Sequence, residues 1–572
     1  MIPLACRRAP ALGLLLAATA VTARAQDPGG VTLDFGAPPT AAATDTIPAA
    51  ALADALARFN APGTTRIFGG IQLNTPVDGS VGIYDADVRI STRVAGDVVV
   101  INGSLRLDRA GRVDGRIIVL GGRFFADSGA AFARPVTEYR MRAPVRQAAD
   151  TRLILAPPAP TLRDLAGQMA LRLGPVTATP RFGLGTYNRV EGLPIRLGTS
   201  LAWPARADLD ARLDADLIVR SAPDQADTRN ALGWWLRLSA RQAGSLPLTL
   251  GLEGGTRIEA TADRPLSAGE STVSALIFRR DRRDWYERRA VAAFADWQVR
   301  PDLEVGARIE SNRERSVAAT DAFSILRSDE PWRPNPLIDD GRYTSIALSA
   351  TWDRRDDARS PRDGWWAAAR LQRSSSGDLT PVLLPEQVRD PLPSEGYAAW
   401  EAAFDLRRYL VIDPRHAVHL RLTGRGWVGG DPLTIQRRLA LGGDDFLPGY
   451  DFRTVTCDSR RRPDAAQPAL CDRQMMAQVE LRRTVDVRLG SRVGPYAIGV
   501  DRADLVAFAD FGSAWIAGDG PGQVPAGRIQ SHDEWRGDIG IGFDAGWFGA
   551  DLAKAVTDDE PARLSLRLSR RF

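Results

Sequence analysis

Asp208-Leu-Asp-Ala-Arg-Leu-Asp-Ala-Asp-Leu-Ile-Val-Arg220 decides the fold. Its odd positions, Leu209, Ala211, Leu213, Ala215, Leu217 and Val219, are apolar, while Asp208, Asp210, Arg212, Asp214 and Asp216 occupy even ones. Strict period-two alternation describes a strand with two unlike faces. A soluble sandwich has nowhere to bury so charged an inner row. A barrel with lipid outside and water inside needs one.

The same texture extends in both directions. Leu193, Ile195, Leu197, Leu201 and Trp203 precede it; Leu232, Trp234, Leu236 and Leu238, then Leu246, Leu248, Leu250 and Leu252, follow. Further strands are predicted at 284–299, 303–315, 342–352, 365–373, 396–409, 417–428, 475–483, 505–515, 537–545, 548–556 and 562–572. About fifteen are legible. Bacterial single-chain barrels have even counts, so we expect sixteen, the missing one within 260–283 or 316–340. The last strand is the cleanest: Leu564, Leu566, Leu568 and Phe572 share one face, and Arg563, Ser565, Arg567, Ser569 and Arg571 the other.

The N-terminus reads as an export signal over residues 1–25. Arg7 and Arg8 precede an apolar core from Ala11 to Val21, and Ala23-Arg24-Ala25 supplies a small-x-small cleavage site. No later segment has the roughly 18 consecutive apolar residues a spanning helix needs. Insertion into a membrane would therefore be as a closed barrel. Of the formal charge of +4, Arg7, Arg8 and Arg24 lie in the signal. The remainder is close to neutral, with no basic surplus for nucleic acid. Nearly all the basic charge is arginine, Lys554 being the only lysine.

Residues 26–60, rich in Ala, Pro and Thr, read as a mostly disordered lead-in with one helical candidate, Ala49 to Phe59. Over 61–138 the texture changes. VDGSVGIYDADVRI starts at Val77, VAGDVVVINGSLRL at Val94 and VDGRIIVLGGRFF at Val113. Each begins Val-x-Gly and holds short β-branched runs broken by Gly, Asn or Asp. This repeat predicts a parallel β-solenoid, each coil stacking on the last; a flat hairpin domain is the competing arrangement. Residues 139–186, with Ala156-Pro-Pro-Ala-Pro160, read as a linker, and 187–572 as the barrel.

Cys457 and Cys471 remain once the signal is removed. In an oxidising compartment a disulfide is expected, contributing about 3 kcal/mol for so short a loop; two free thiols are the alternative. His416, His419 and His532 are the only histidines, and their spacing makes no metal site. No G-x-S-x-G, H-E-x-x-H or phosphate-binding loop occurs. We expect no enzyme, no metal and no cofactor.

Several pieces match a known family. Asp353-Arg-Arg-Asp356…Pro361-Arg-Asp-Gly364-Trp365 resembles the D-x-R-D…P-x-x-G-W hairpin of the BamA/TamA-type outer-membrane superfamily, the bacterial surface antigen barrels. Leu441-Gly442-Gly443 with Pro448-Gly449-Tyr450 resembles that family's L-G-G…R-G-[FY] inward loop. Val479-Glu480-Leu481-Arg482 resembles the next strand, and Phe508-Ala-Asp510-Phe-Gly512 its F-x-D-x-G strand. Asn188–Gly192 sits where related barrels begin their first strand. The solenoid repeats resemble bactofilin-type domains.

The superfamily resemblance implies that the loop folds into the lumen, its arginine pairing with the F-x-D-x-G aspartate. Here Pro448 stands at the arginine position, and Arg453 is the candidate substitute for Asp510 and Glu480. The other possibility is that Asp510 is one solvated lumenal charge among many. Family members that insert or secrete proteins carry POTRA repeats before the barrel; here the solenoid takes that place. The terminal Phe572 resembles the signal read by barrel assembly machinery.

These features imply an outer-membrane protein of envelope biogenesis or transport, with a periplasmic solenoid that docks a partner or self-associates. The alternative is a structural anchor for a periplasmic solenoid polymer or cell-wall contact, its barrel plugged. Outer-membrane lipid is the expected surroundings in both.

Overall fold

The computed structural model describes residues 47–572 apart from 69–70, 133–134, 140–142, 149, 156–169, 207, 223–230, 243, 245, 264–265, 359, 444–445, 458–467, 494–495, 521, 547 and 569. The signal segment lies outside the described residues. No helix among them is long and apolar enough to cross a membrane, which says nothing of strands.

The repeat region forms a three-sided parallel coil. One side stacks Thr65–Phe68, Val81–Tyr84, Val98–Ile101, Ile117–Leu120 and Thr137–Tyr139; a second stacks Ile71–Leu73, Val88–Ile90, Leu105–Leu107 and Phe124–Ala126. The third side is Arg93–Val94, Arg112–Val113 and Ala131–Phe132, with Val77 bridging to Val94. The register pairs Val81 with Val98 and Val98 with Ile117, the same offsets as the Val-x-Gly starts. Val81, Ile83, Val98, Val100, Ile117 and Val119 project into one dry core with Val88, Ile90, Leu105 and Leu107. The motif glycines sit at a corner where the coils nearly touch. A Cβ on Gly96 would lie 2.5 Å from the Ser80 nitrogen, and one on Gly115 would lie 2.5 Å from Gly96. Nothing larger than glycine fits there.

Helix α1 (Ala49–Phe59) occupies the range picked out in the sequence, but it is packed rather than isolated. Leu52, Ala55 and Phe59 cover Val99, Ile101, Ile118 and Leu120 on the outer face of the first side. The antiparallel hairpin Val145–Gln147 with Leu153–Leu155 adds Val145 and Leu153 to the same cluster. Lead-in and linker therefore both contribute to this body. The amphipathic face of α1 needs an apolar surface, and the coil's outward Val and Ile side chains supply it.

Among the described residues the remainder is one antiparallel sheet of seventeen strands in sequential order, one more than the sixteen expected. They are β1 (Leu171–Leu173), β2 (Val176–Leu184), β3 (Pro194–Arg206), β4 (Leu209–Arg220), β5 (Leu232–Gln242), β6 (Leu248–Ala260), β7 (Trp285–Arg300), β8 (Leu303–Ser316), β9 (Gly341–Asp353), β10 (Gly364–Ser376), β11 (Tyr397–Val411), β12 (His416–Gly430), β13 (Arg473–Val493), β14 (Tyr496–Trp515), β15 (Arg536–Asp544), β16 (Gly549–Ala555) and β17 (Arg563–Arg567). Exposed apolar residues meet across the strands: Leu217 opposite Trp234, Leu238 opposite Leu252, Ile309 opposite Ile346, Leu348 opposite Leu371. The opposite face is charged and paired, as in Arg288–Glu259 at 2.9 Å and Arg308–Glu253 at 2.7 Å. This is the inverted amphipathicity of a transmembrane barrel.

Three expectations are corrected. The missing strand is β2, not a segment of 260–283 or 316–340. The first of those stretches holds helix α2 (Ala268–Phe278), started by a capping box between Ser267 and Glu270; the second is a connection. Residues 176–184 fall within the expected linker, yet Pro180 is tolerated in a strand near a sheet edge, and the sheet begins ahead of Tyr187. Asn188–Gly192 is not a first strand but a tight turn after β2, closed by reciprocal Asn188–Gly192 backbone bonds of 3.0 and 2.9 Å. Last, β17 ends at Arg567, so the alternation from Leu564 to Phe572 does not continue as strand.

Among the described residues no ladder joins β17 to β2. β1 pairs with Val176, Thr177 and Ala178 along the edge of β2 that faces away from β3.

Candidate functional site: the lumen brace

Connections 185–193, 261–284, 317–340, 377–396 and 431–472 lie at one end of the barrel, and the short turns 301–302, 354–363 and 412–415 at the other. The long connections are knitted together by buried charge. Asp339 accepts from Arg389 Nη1 and Nη2, at 2.5 and 3.0 Å, and from the Ile435 and Val382 amides. Arg438, wholly buried, donates to the carbonyls of Leu433, Val388 and Leu470 and lies 3.1 Å from Asp472. Cys457 and Cys471 form a disulfide within 431–472.

The inward loop Leu441–Arg453 leaves this cap between the backbone bridges Leu441–Val455 and Leu439–Cys471. Gly442 and Gly443 take φ of +113° and +104°, a region that glycine enters without strain. A Cβ on Gly442 would stand 2.6 Å from the Asp451 carbonyl. At the tip, Gly449 lies flat on the wall. Its amide donates to Asp538 at 2.6 Å, and an added Cβ would meet Asp538 and the Ala555 nitrogen at 2.7 and 2.8 Å. The buried Tyr450 hydroxyl lies 3.1, 2.6 and 2.9 Å from the Gly537 carbonyl, Thr557 and Asp558. Pro448 precedes this contact and supplies no charge. Gly512 leaves room for the Leu441 side chain, 3.4 Å from where its Cβ would be.

Arg453 does not reach Asp510 or Glu480. It is 2.7 Å from Asp263 and 2.7 Å from Asp284. Arg189 and Arg333 share Asp284 at 3.0 and 2.5 Å. Four connections thus converge on one buried charge cluster. Burial pushes the Asp284 carboxyl upward, but the guanidiniums of Arg333, Arg453 and Arg189 outweigh this and hold it well below the ordinary range.

The cation that does reach Asp510 is Arg571. It contacts Asp510, lies 3.0 Å from Glu480 and 3.7 Å from Asp551, and sits 3.9 Å over the Phe508 ring. Glu480 also takes Arg482 at 2.7 Å, and Asp510 accepts from Gln478 at 3.1 Å. Phe572 does not share the outward face of Leu564 and Leu566. It is buried, 6.4 Å from the His419 ring and 5.8 Å from the Arg421 guanidinium. Parity along 563–571 places Arg571 inward, but local sequence says nothing of partners 61 and 91 positions earlier.

The hairpin Asp353–Trp365 is the β9–β10 turn. Asp356 accepts from the amides of Asp357, Arg362 and Asp363 at 2.9, 2.9 and 3.1 Å. Gly364 has φ +113°, and a Cβ there would fall 2.1 Å from the Arg354 carbonyl. Trp365 stacks under Arg408 at 5.1 Å, and Pro361 lies buried in the turn. The same turn meets the solenoid through Arg123–Asp363 at 2.6 Å. His416 pairs with Asp413 at 2.9 Å, while His419 lies 3.7 Å from Glu480 and meets the Tyr409 ring edge to face. Among the described residues no cluster of His, Cys, Asp or Glu is placed to hold a metal.

Solved structures similar to this chain include BamA from Haemophilus ducreyi lacking POTRA domains 1–3, at 12% identity over 68% of each chain with a TM-score of 0.39. CdiB from Acinetobacter baumannii is similar at 11% identity, over 69% of this chain and 60% of that one, with a TM-score of 0.30. CdiB from Escherichia coli gives 11%, 69%, 62% and 0.27 for the same quantities. No protein-family model and no curated protein matches. The class is set by the molecule itself: an all-β chain in which a parallel solenoid precedes an antiparallel barrel with an apolar exterior.

Proposed function

We propose that the protein is an outer-membrane barrel of the surface-antigen type that inserts or translocates protein or lipid, with its solenoid in the periplasm as a docking module. The observation that carries this is the seam. Among the described residues β17 has no ladder to β2 and pairs over five residues with β16, whereas β7 pairs over nearly its whole length with β6 and β8. The edge with the fewest hydrogen bonds is the one that opens at least cost. The capped lumen and the brace hold the barrel at rest, and the solenoid, in contact with the β9–β10 turn, presents a partner at the short-turn end of the barrel. Phe572 serves earlier, as the terminal aromatic that assembly machinery reads on the unfolded chain.

One observation favours the alternative, a plugged anchor: loop and tail both fill the lumen. Planar-bilayer conductance separates the two. A translocating barrel is expected to be nearly silent as wild type and to conduct when residues 444–453 are deleted. Silence in both favours the anchor. Deleting Arg66–Arg134 should abolish crosslinked recovery of a periplasmic partner while leaving insertion intact.

A further inference from the structure

The last residues of the chain occupy a cradle that is complete without them. Glu480, Asp504, Asp510, Asp544 and Asp551 project from β13–β16. The neighbouring strand cations are Arg482, within 3.2 Å of Glu480, Asp504 and Asp544, and Arg567, 2.5 Å from Asp551. Carboxylates outnumber guanidiniums on this wall. The balance comes from Arg571, and from Arg570, which lies 3.9 and 4.0 Å from Asp504 and Asp544. Aromatic surface flanks the acid: Phe508 under Arg571, and the Tyr409–His419 pair beside Phe572. The start of the tail is held separately, the Leu568 amide donating to Glu270 of α2 at 2.8 Å. Without Arg571, buried Asp510 would keep Gln478 and face the carboxyl of Asp538 on the next strand, with no cation among the described residues beside it, an arrangement that favours a cationic occupant.

We propose that the inner wall of β13–β16 is a binding site for a peptide end carrying arginines and a terminal aromatic, and that Arg570, Arg571 and Phe572 fill it in cis. The tail is then an intramolecular ligand. Released, it would expose an acidic, aromatic-lined groove able to accept a second chain end of the same chemistry. The inference rests on the barrel alone, not on what the barrel transports.

The test uses the full chain refolded in detergent micelles, and a chain ending at Arg567, with folding scored by heat-modifiable gel mobility. The probe is the dye-labelled peptide Leu-Ser-Arg-Arg-Phe, followed by fluorescence anisotropy. The truncated chain should bind it saturably and wild type at least tenfold more weakly. D510N in the truncated background should cost at least tenfold, and Leu-Ser-Gln-Gln-Phe should not bind. A folded truncated chain that ignores the peptide overturns the proposal. Should the truncated chain not fold, full-length R571Q and D510N decide the matter by carboxypeptidase digestion. Tail loss at least tenfold faster than in wild type supports the cradle, and equal rates overturn it. Conductance is not part of this test, so failure of the transport function would not be mistaken for failure of the cradle.

Discussion

The solenoid and the barrel solve opposite problems with the same strand alphabet. In the coil, Val81, Ile83, Val98 and Val100 point inward and are sealed from water. In the barrel, Leu236, Leu238, Leu250 and Leu252 point outward and are fully served only by lipid. The coil gains stability from its interior and tolerates charge outside, as in Arg89–Asp108 at 2.7 Å. The barrel's interior is a set of ion pairs whose removal one at a time leaves buried charge behind. The same Val→Asp change should therefore be ruinous in one body and, at a lumenal position of the other, mild.

The comparison can be broken at several points. V100D places a carboxylate in the dry coil, among buried Val, Ile and Leu side chains; a loss of more than about 4 kcal/mol is expected. Thermal melts of the full chain should then lose the solenoid transition while heat-modifiable barrel mobility persists. Simultaneous loss of both would show that the two bodies fold as one.

Within the barrel, R453A takes the guanidinium from buried Asp263 and one of three from Asp284, and a cost of about 3–5 kcal/mol is expected in the cap. Proteolysis of the 431–472 connection reads it out; unchanged protection would remove Arg453 from the brace. The pH dependence has a definite sign. Asp284 has a depressed native pKa, so its contribution is full above the unfolded carboxyl value of about 3.9. It fades as pH falls through the lower native value. Wild-type cap protection should survive mild acid.

L238R on the lipid-facing row should cost about 2–4 kcal/mol if it lies near the bilayer midplane, measured by urea-induced release from liposomes. An effect near zero would place this row outside the hydrocarbon. Smallest is D363R at the solenoid contact, worth about 1 kcal/mol or less as a partly exposed pair. Crosslinking between Arg123-proximal and turn residues should fall without a change in either melt.

Most strands were legible because alternation is local: 303–315 predicted became Leu303–Ser316, and 417–428 became His416–Gly430. The turn glycines were legible for a similar reason, since Gly364 and Gly442 answer to φ and to a carbonyl within the same turn or loop, of Arg354 and Asp451. What was not legible depended on distance along the chain. Arg453 finds Asp263, 190 residues earlier, and no pattern near Tyr450 could choose that partner over Asp510. β2 falls within the expected linker, and its Pro180 argues against a central strand but not against one near an edge. The tail was hidden by its own regularity: the alternation of 563–572 continues past the point where pairing stops.

The three-residue strand β1 has a consequence for that stopping point. By pairing with Val176, Thr177 and Ala178, it removes those residues from the free edge of β2 and leaves Thr179 to Leu184. β17 is five residues long. The first hairpin thus works as a ruler, limiting how far the two ends of the sheet can zip together. Lengthening or erasing it would reset where the chain's last residues must leave the wall.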